Sequence, residues 1–319
     1  MVGLRGKEGS ADMLTLSENF RALFYAPFYA AFAIGAYQAE GVDVTLRPSP
    51  DPASTTADLL GGTVDAMWGG PLRVFLTHAA DPAADTVCFC DVVARDPFFI
   101  VGRESRPEFR LADLAGLRFA SVSEVPTPWL CLQDDLRRAG IEPASLRRVS
   151  GPSMAANEAA LRAGTLDAAQ LFEPYVEDLV ADGVGHVWYA AATRGPTAYT
   201  TLVARRSVLA ARRAEFAAMV RGMARALRWM AEAPGTDVAH ALAAFFPDVP
   251  LPIFATAMDR YRGLGLYAPG PALRREGFDR LQAAMLSGGV LQRAIPFEDC
   301  VDVNLSRCAG EVEGAQRRG

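Results

Sequence analysis

The chain has 319 residues, enough for two domains of ordinary size, and half of them are apolar, so a substantial core is available. A formal net charge of −5 speaks against a nucleic-acid binder, which presents a basic face. Lys7 is the only lysine, and the longest apolar-rich run, Ala22 to Tyr37, is too short and is interrupted by Pro27, which argues against a membrane span.

Residues 1–13 contain no apolar core, so they read as a disordered polar leader and not as a secretory signal; as written the chain stays in the cytosol, and export would require a signal upstream. Leu14 to Ser17 predicts the first strand, followed by the polar loop Ser17-Glu18-Asn19-Phe20-Arg21. A helix is expected from Phe24 to Ala39, with Pro27 tolerated in its first turn, then a strand from Val42 to Arg47. Pro48 to Pro52 extends neither strand nor helix and reads as a loop, after which Ser54 or Thr55 caps a helix that stops at Gly62. The next strand leads into Trp68-Gly69-Gly70-Pro71. Two glycines there let backbone amides approach a ligand, and Trp68 is either the aromatic wall of that site or a ring packed on a neighbouring helix.

Thr86 to Gly102 supplies two strands, broken around Arg95-Asp96-Pro97, the second of which leaves the first lobe. Arg110 to Leu117 is a short helical turn ahead of a strand at Arg118 to Ala120 and a loop at Ser121-Val122-Ser123-Glu124-Val125-Pro126-Thr127. Hydroxyls and free amides at the start of the following helix, which ends at Arg138, make a ready site for an anion or a carbonyl, although the Glu124 carboxylate would repel an anion. Leu146 to Val149 is a strand, Ser150 to Ser153 a loop and cap, and a further helix and strand run to Gln170-Leu171-Phe172-Glu173-Pro174. Phe172 and Glu173 occupy the place that Trp68 and Gly69 hold earlier; a ring and a carboxylate there suit a planar nitrogen heterocycle, or are a packed ring beside a capping acid.

Within this order one phrase occurs twice. Ala57 to Ala66 and Ala159 to Ala168 share the form A-x-L-x-x-G-T-(V/L)-D-A, in which a helix ends at a left-handed glycine, Gly62 or Gly164, and a strand begins at once. Ala39 to Val44 matches Arg138 to Glu142, and Leu14 to Asn19 matches Arg118 to Ser123. Each half therefore reads as an α/β unit of parallel strands with helical crossovers, and open sheets of this kind bind ligands beyond the carboxyl ends of their strands. The strand Val187 to Ala190 and the return strand Gly195 to Val203 bring the chain back, so it crosses between lobes twice and forms a hinge. The remainder is helical: Leu209, Phe216, Val220, Met223, Leu227 and Met230 make one apolar stripe, helices follow near Asp237–Phe246, Pro252–Tyr261 and Pro271–Leu286, and residues 311–319 read as a disordered tail.

Cys88, Cys90, Cys131, Cys300 and Cys308 are odd in number and lack metal-binding spacing, so no disulfide framework and no metal site is expected. Cys88-Phe89-Cys90 alternates, which puts both thiols on one face of a strand, as buried apolar groups or as a redox or metal pair. His78, His186 and His240 are scattered and read as surface or loop residues.

The serine-bearing loop at Ser17-Glu18-Asn19, the run Pro27-Phe28-Tyr29-Ala30-Ala31, the motifs Ala39 to Val44 and Gly62 to Ala66, and Leu111-Ala112-Asp113-Leu114-Ala115-Gly116 together resemble the substrate-binding proteins of sulfonate, nitrate, taurine and thiamine-precursor ABC transporters, over residues 14 to about 300. The resemblance implies the type II periplasmic-binding-protein architecture, with two Rossmann-like lobes on a two-strand hinge: lobe one from residues 14–101 and 201–310, lobe two at 102–200. Carried over by position, ligand contacts come from Asn19, Arg21, Trp68, Gly69, Ser121, Ser123, Phe172, Glu173 and Tyr199. It also implies a periplasmic monomer working with a permease and an ATPase, the cytoplasm being the alternative.

The same resemblance brings in enzymes. Thiamine-pyrimidine synthases hold pyridoxal phosphate on a lysine of the first lobe, and Schiff-base chemistry needs that amine; with Lys7 alone the chain is expected to use no cofactor. Aromatic desulfinases of this fold use a cysteine, a histidine and an arginine, for which Cys88 or Cys90, His78 and Arg73 are the candidates. The reading that results is a non-catalytic, hinge-closing binder of a small organic ligand, a sulfonate, a pyrimidine or another heteroaromatic. The alternative is a cytosolic enzyme or sensor on the same scaffold.

Overall fold

The computed structural model describes residues 13–49 and 54–305; the expected leader up to residue 12, residues 50–52 of the Pro48–Pro52 loop, Cys308 and the expected tail lie outside them. In chain order the strands are β1 (Leu14–Ser17), β2 (Val44–Arg47), β3 (Ala66–Gly69), β4 (Thr86–Val93), β5 (Phe99–Gly102), β6 (Phe119–Ala120), β7 (Arg148–Val149), β8 (Ala168–Leu171), β9 (His186–Ala190) and β10 (Thr200–Arg205). The helices are α1 (Ala26–Ala33), α2 (Ala36–Ala39), α3 (Ser54–Leu60), α4 (Leu72–Ala80), α5 (Thr127–Arg138), α6 (Met154–Arg162), α7 (Tyr175–Ala181), α8 (Arg206–Ala211), α9 (Arg213–Glu232), α10 (Gly235–Leu242), α11 (Leu251–Gly263), α12 (Arg275–Ser287) and α13 (Phe297–Cys300). The helix expected from Phe24 to Ala39 is three pieces: a 3-10 turn at Leu23–Tyr25, then α1 and α2, separated at Gly35, whose φ of 66° no α-helix accepts.

Two five-stranded sheets result, in the orders β2-β1-β3-β10-β4 and β7-β6-β8-β5-β9. They are mixed and not all-parallel. β1, β2 and β3 run parallel, as do β6, β7 and β8, but β10 pairs antiparallel with β3 and β4, and β5 antiparallel with β8 and β9. The reason lies in the connections. A chain that passes straight from one sheet to the other, without a helical crossover, enters against the direction of the parallel strands.

Strands β1–β5 and β6–β10 are therefore two copies of one unit, each lending its fifth strand to the other's sheet. The side chains that tie the copies together repeat as well. The Asp65 carboxylate accepts the Thr15 N–H at 2.8 Å while its own N–H donates to the Thr15 carbonyl; Asp167 does the same with Arg118, at 2.7 Å. Gly62 and Gly164 are left-handed, with φ of 77° and 74°, and in both cases a guanidinium group, from Arg205 or Arg103, fills the space where a Cβ would stand. Val101-Gly102-Arg103 and Val203-Ala204-Arg205 thus extend the repeat, at the sequence separation of the helix-stop motif itself.

These contacts correct the register expected between the halves. Thr15 corresponds to Arg118, so the counterpart of Ser121 is Glu18 and not Ser17. From the strand pairing, Trp68 corresponds to Gln170 and Gly70 to Phe172. The lobe boundaries also shift by a few residues. β5 belongs to the second sheet and β10 begins at Thr200, so the crossings are Ala94–Phe98 and Ala191–Tyr199. The crossings pair with one another: the Ala191 N–H donates to the Phe98 carbonyl at 2.9 Å, the Thr197 N–H to the Ala94 carbonyl at 2.8 Å. Between them the buried Arg194 guanidinium joins Asp96 to Asp135 of α5.

The apolar stripe Leu209, Phe216, Val220, Met223, Leu227 and Met230 is buried, although the chain breaks at Arg212 between α8 and α9. Cys88 and Cys90 do not share a face. A β-bulge between the partners of Leu202 and Val203 inserts Phe89, so Cys88 packs with Val203 and Phe75 while Cys90 packs on the side of Tyr37 and Phe216.

Candidate functional site

The loops after β1, β3 and β6 meet at one place, between the lobes, and enclose a cleft of about 270 Å³. Asn19, Phe20, Phe24 and Tyr25 come from the first loop, Gly70, Leu72, Arg73 and Leu76 from the turn and start of α4, and Glu124 to Thr127 from the second lobe. Phe98 and Tyr199, from the two crossings, and Thr200, at the start of β10, complete the lining. This is where a sheet of parallel strands leaves its unpaired loop amides and hydroxyls.

Most of the wall is apolar, and the polar groups converge on one arginine. Arg73 sits just inside α4, after the Gly69-Gly70-Pro71 turn, and is half-buried. Its Nη2 donates to Asn19 Oδ1 at 3.1 Å and its Nη1 to Thr56 Oγ1 at 3.2 Å. Asn19 is thereby oriented so that its amide donates to the Tyr25 hydroxyl at 3.3 Å. Burial drives the Tyr25 and Tyr199 phenols well above their ordinary range, so both stay protonated and able to donate. The Tyr199 hydroxyl is buried and has no hydrogen-bond partner among the described residues. A buried hydroxyl left so costs free energy. The Glu124 carboxylate accepts the backbone N–H of Met154 at 2.6 Å and so holds the start of α6.

Of the expected contacts, Asn19 and Tyr199 line this cleft. Trp68 is fully buried beneath it, stacked on Phe28 at 4.7 Å, because β3 turns its side chain toward α1. Gly69 is a strand residue, and its neighbour Gly70 lines the cleft. Ser121 is buried at the end of β6, and Ser123 accepts the Gly151 N–H at 2.6 Å, fastening one loop to the next. Glu173 is buried in an ion pair with Arg260 of α11, which also holds Glu177. Arg21 pairs with Glu18 and, with Phe172, lines a second interlobe hollow. Phe24, Tyr25, Thr127 and Thr200 line the cleft and were not expected there; the aromatic pair just before Pro27 is the signal in the sequence that points to the first two.

The cysteine, histidine and arginine set does not assemble. Cys88 lies inside β4, and burial pushes its thiol up to about 12. His78, read as a surface residue, is buried with Nε2 2.9 Å from the Thr86 carbonyl. Only Arg73 of the three reaches the cleft. Among the described residues no three His, Cys, Asp or Glu side chains come together as a metal site, and no helix is long and apolar enough to cross a membrane.

Two α/β lobes with an exchanged fifth strand and a cleft at the facing strand ends define the architecture of the periplasmic binding proteins. The profile of the NMT1-like family matches residues 20–244, and the chain belongs to that family. It is 25% identical over 302 residues to a putative binding protein, YtlA, of Bacillus subtilis (strain 168), covering 94% of this chain and 90% of the relative. Its fold matches the periplasmic aliphatic sulphonate binding protein SsuA from Escherichia coli with a TM-score of 0.73 at 18% identity, over 93% of this chain and 99% of the other. The desulfurization enzyme DSZB has the same fold, with a TM-score of 0.67 at 15% identity, over 95% of this chain and 99% of the other.

Proposed function

We propose that the protein is a solute-binding component of an ABC importer that closes its lobes on a small organic anion, without catalysis. The observation that carries this reading is Arg73, held by Asn19 and Thr56 in a mostly apolar cleft near the protonated Tyr25 phenol. A guanidinium with hydroxyl donors suits a sulfonate or carboxylate, and the rings of Phe20, Phe24 and Phe98 suit an apolar body next to it. A nitrogen heterocycle read by a carboxylate is less well served, since Glu173 is engaged by Arg260 and Glu124 by the start of α6. The putative binding protein among its relatives supports binding over turnover, and among the described residues the cleft lining contains neither cysteine nor histidine as a nucleophile or base. Action as a periplasmic monomer with a permease and an ATPase belongs to the same reading.

Thermal unfolding with a panel of benzenesulfonate, short alkanesulfonates, benzoate, nitrate and pyrimidines tests it. A ligand at a hundred times its dissociation constant adds about 2.7 kcal/mol of stability. Stabilisation by organic sulfonates or carboxylates and not by pyrimidines is expected; chemical conversion of the stabilising compound would overturn the reading.

A further inference from the structure

Two hollows lie between the lobes, and one aromatic wall separates them. The cleft at Arg73 measures about 270 Å³, and the hollow bordered by Leu23, Phe172, Tyr175 and Phe245 about 390 Å³. Both are bounded by residues of both lobes. The wall is made of Phe24, Phe98 and Phe172: the ring of Phe24 meets that of Phe172 edge-on at 5.3 Å and that of Phe98 at 6.2 Å, and Phe98 and Phe172 are 5.3 Å apart. Phe24 and Phe98 face the Arg73 cleft, while Phe172 faces the other hollow.

We propose that Phe24 is the specificity-determining residue of the cleft: its ring partitions one long interlobe groove and limits the ligand to a head group and a body of about one ring. The inference rests on the anion-binding reading of the Arg73 cleft. The volume of that cleft lies just below the usual range for small-molecule sites, about 300–1,000 Å³. The first hollow alone holds a single-ring anion, whereas the two joined would hold a two-ring one. Phe24 is the wall residue carried by a single 3-10 turn, Leu23–Tyr25. In the far hollow Arg21 is paired with Glu18, and the Asp248 carboxylate disfavours a second anion there. A longer ligand would therefore still place its head at Arg73 and lay its second ring against Phe245.

The test is calorimetric titration with benzenesulfonate and biphenyl-4-sulfonate. The wild-type protein is expected to bind the first at least tenfold more tightly than the second, and Phe24→Ala to gain at least tenfold for biphenyl-4-sulfonate. Phe172→Ala opens the same wall from the far side without altering the Arg73 lining and should show the same gain, which decides the matter if Phe24→Ala does not fold. Equal binding of the two sulfonates by the wild type, or no gain in either folded variant, overturns the partition while leaving the anion site intact. Failure of the wild type and of both variants to bind either compound overturns the anion site, and the partition with it.

Discussion

The two copies of the α/β unit differ least where they hold themselves together and most where they face the cleft. Asp65 and Asp167 tie the third strand of each copy to the first by the same pair of hydrogen bonds, and an arginine packs on each left-handed glycine. At the rims the chemistry diverges. Glu18 of the first copy accepts from Tyr29 and Arg21, whereas its counterpart Ser121 is a small buried hydroxyl. Gly70 leaves room for a ligand where the second copy has the bulk of Phe172, and Arg73 has Tyr175 as its counterpart. A duplicated scaffold keeps its structural contacts because both copies need them, while binding polarity needs to exist only once.

The sharpest way to break that comparison is in the core. Trp68 fills the space under the first sheet against Phe28 and Tyr29, whereas Gln170 at the same place spends its amide on the Pro128 carbonyl and the Val122 N–H. Trp68→Ala should cost about 3–5 kcal/mol of stability in urea unfolding. Gln170→Ala should cost about 1–3 kcal/mol, the penalty of the groups it leaves unpaired. Equal losses would mean that the two sites are packed alike.

Next in size is the asymmetry of the rims. Arg73→Ala should weaken binding of an organic anion by about 10–100-fold, the loss of a charge-assisted hydrogen bond of about 1.5–3 kcal/mol. Tyr175→Ala, the matching change in the second copy, should leave that affinity within about twofold on the same titration. A comparable loss would place the anion in the other hollow.

The last contrast concerns pH. Asp91 on β4 is buried, with Oδ1 unpaired among the described residues, where the second copy has Ala190. Burial raises its carboxyl to about 7, against the partial relief given by Arg274 and the Val92 amide. Because the folded value lies above the unfolded one, this group's contribution to stability is fully present below about pH 4 and is lost as pH rises through 7. Asp91→Asn should flatten the fall in stability between pH 4 and 7, measured by denaturant unfolding across that window. An unchanged profile would show that another group governs it.

The internal repeat was legible because it rests on local chemistry: a left-handed glycine after a helix, a short apolar strand, and a spacing of helix and strand that admits few topologies. Gly62, Gly164 and the strand sequence followed from it, while the apolar stripe of α8 and α9 was legible from its own helical spacing. The residues themselves also held the exact register, in the shared spacing of Asp65, Asp167, Arg103 and Arg205, but hydrogen bonds across the sheets were needed to show which positions correspond.

Only the tertiary structure decided which side chains face the cleft. A strand end offers alternate residues to opposite sides, and a shift of one residue exchanges them. Trp68 goes to the core for that reason, while Phe24 and Tyr25 depend on how a 3-10 turn enters α1, and Cys88 and Cys90 are parted by a bulge. Glu173 carries the charge expected of a ligand contact, yet Arg260, far along the chain on α11, engages it. Sequence fixes the propensities of each segment; the partner of a buried charge or ring is set by which distant segment arrives beside it.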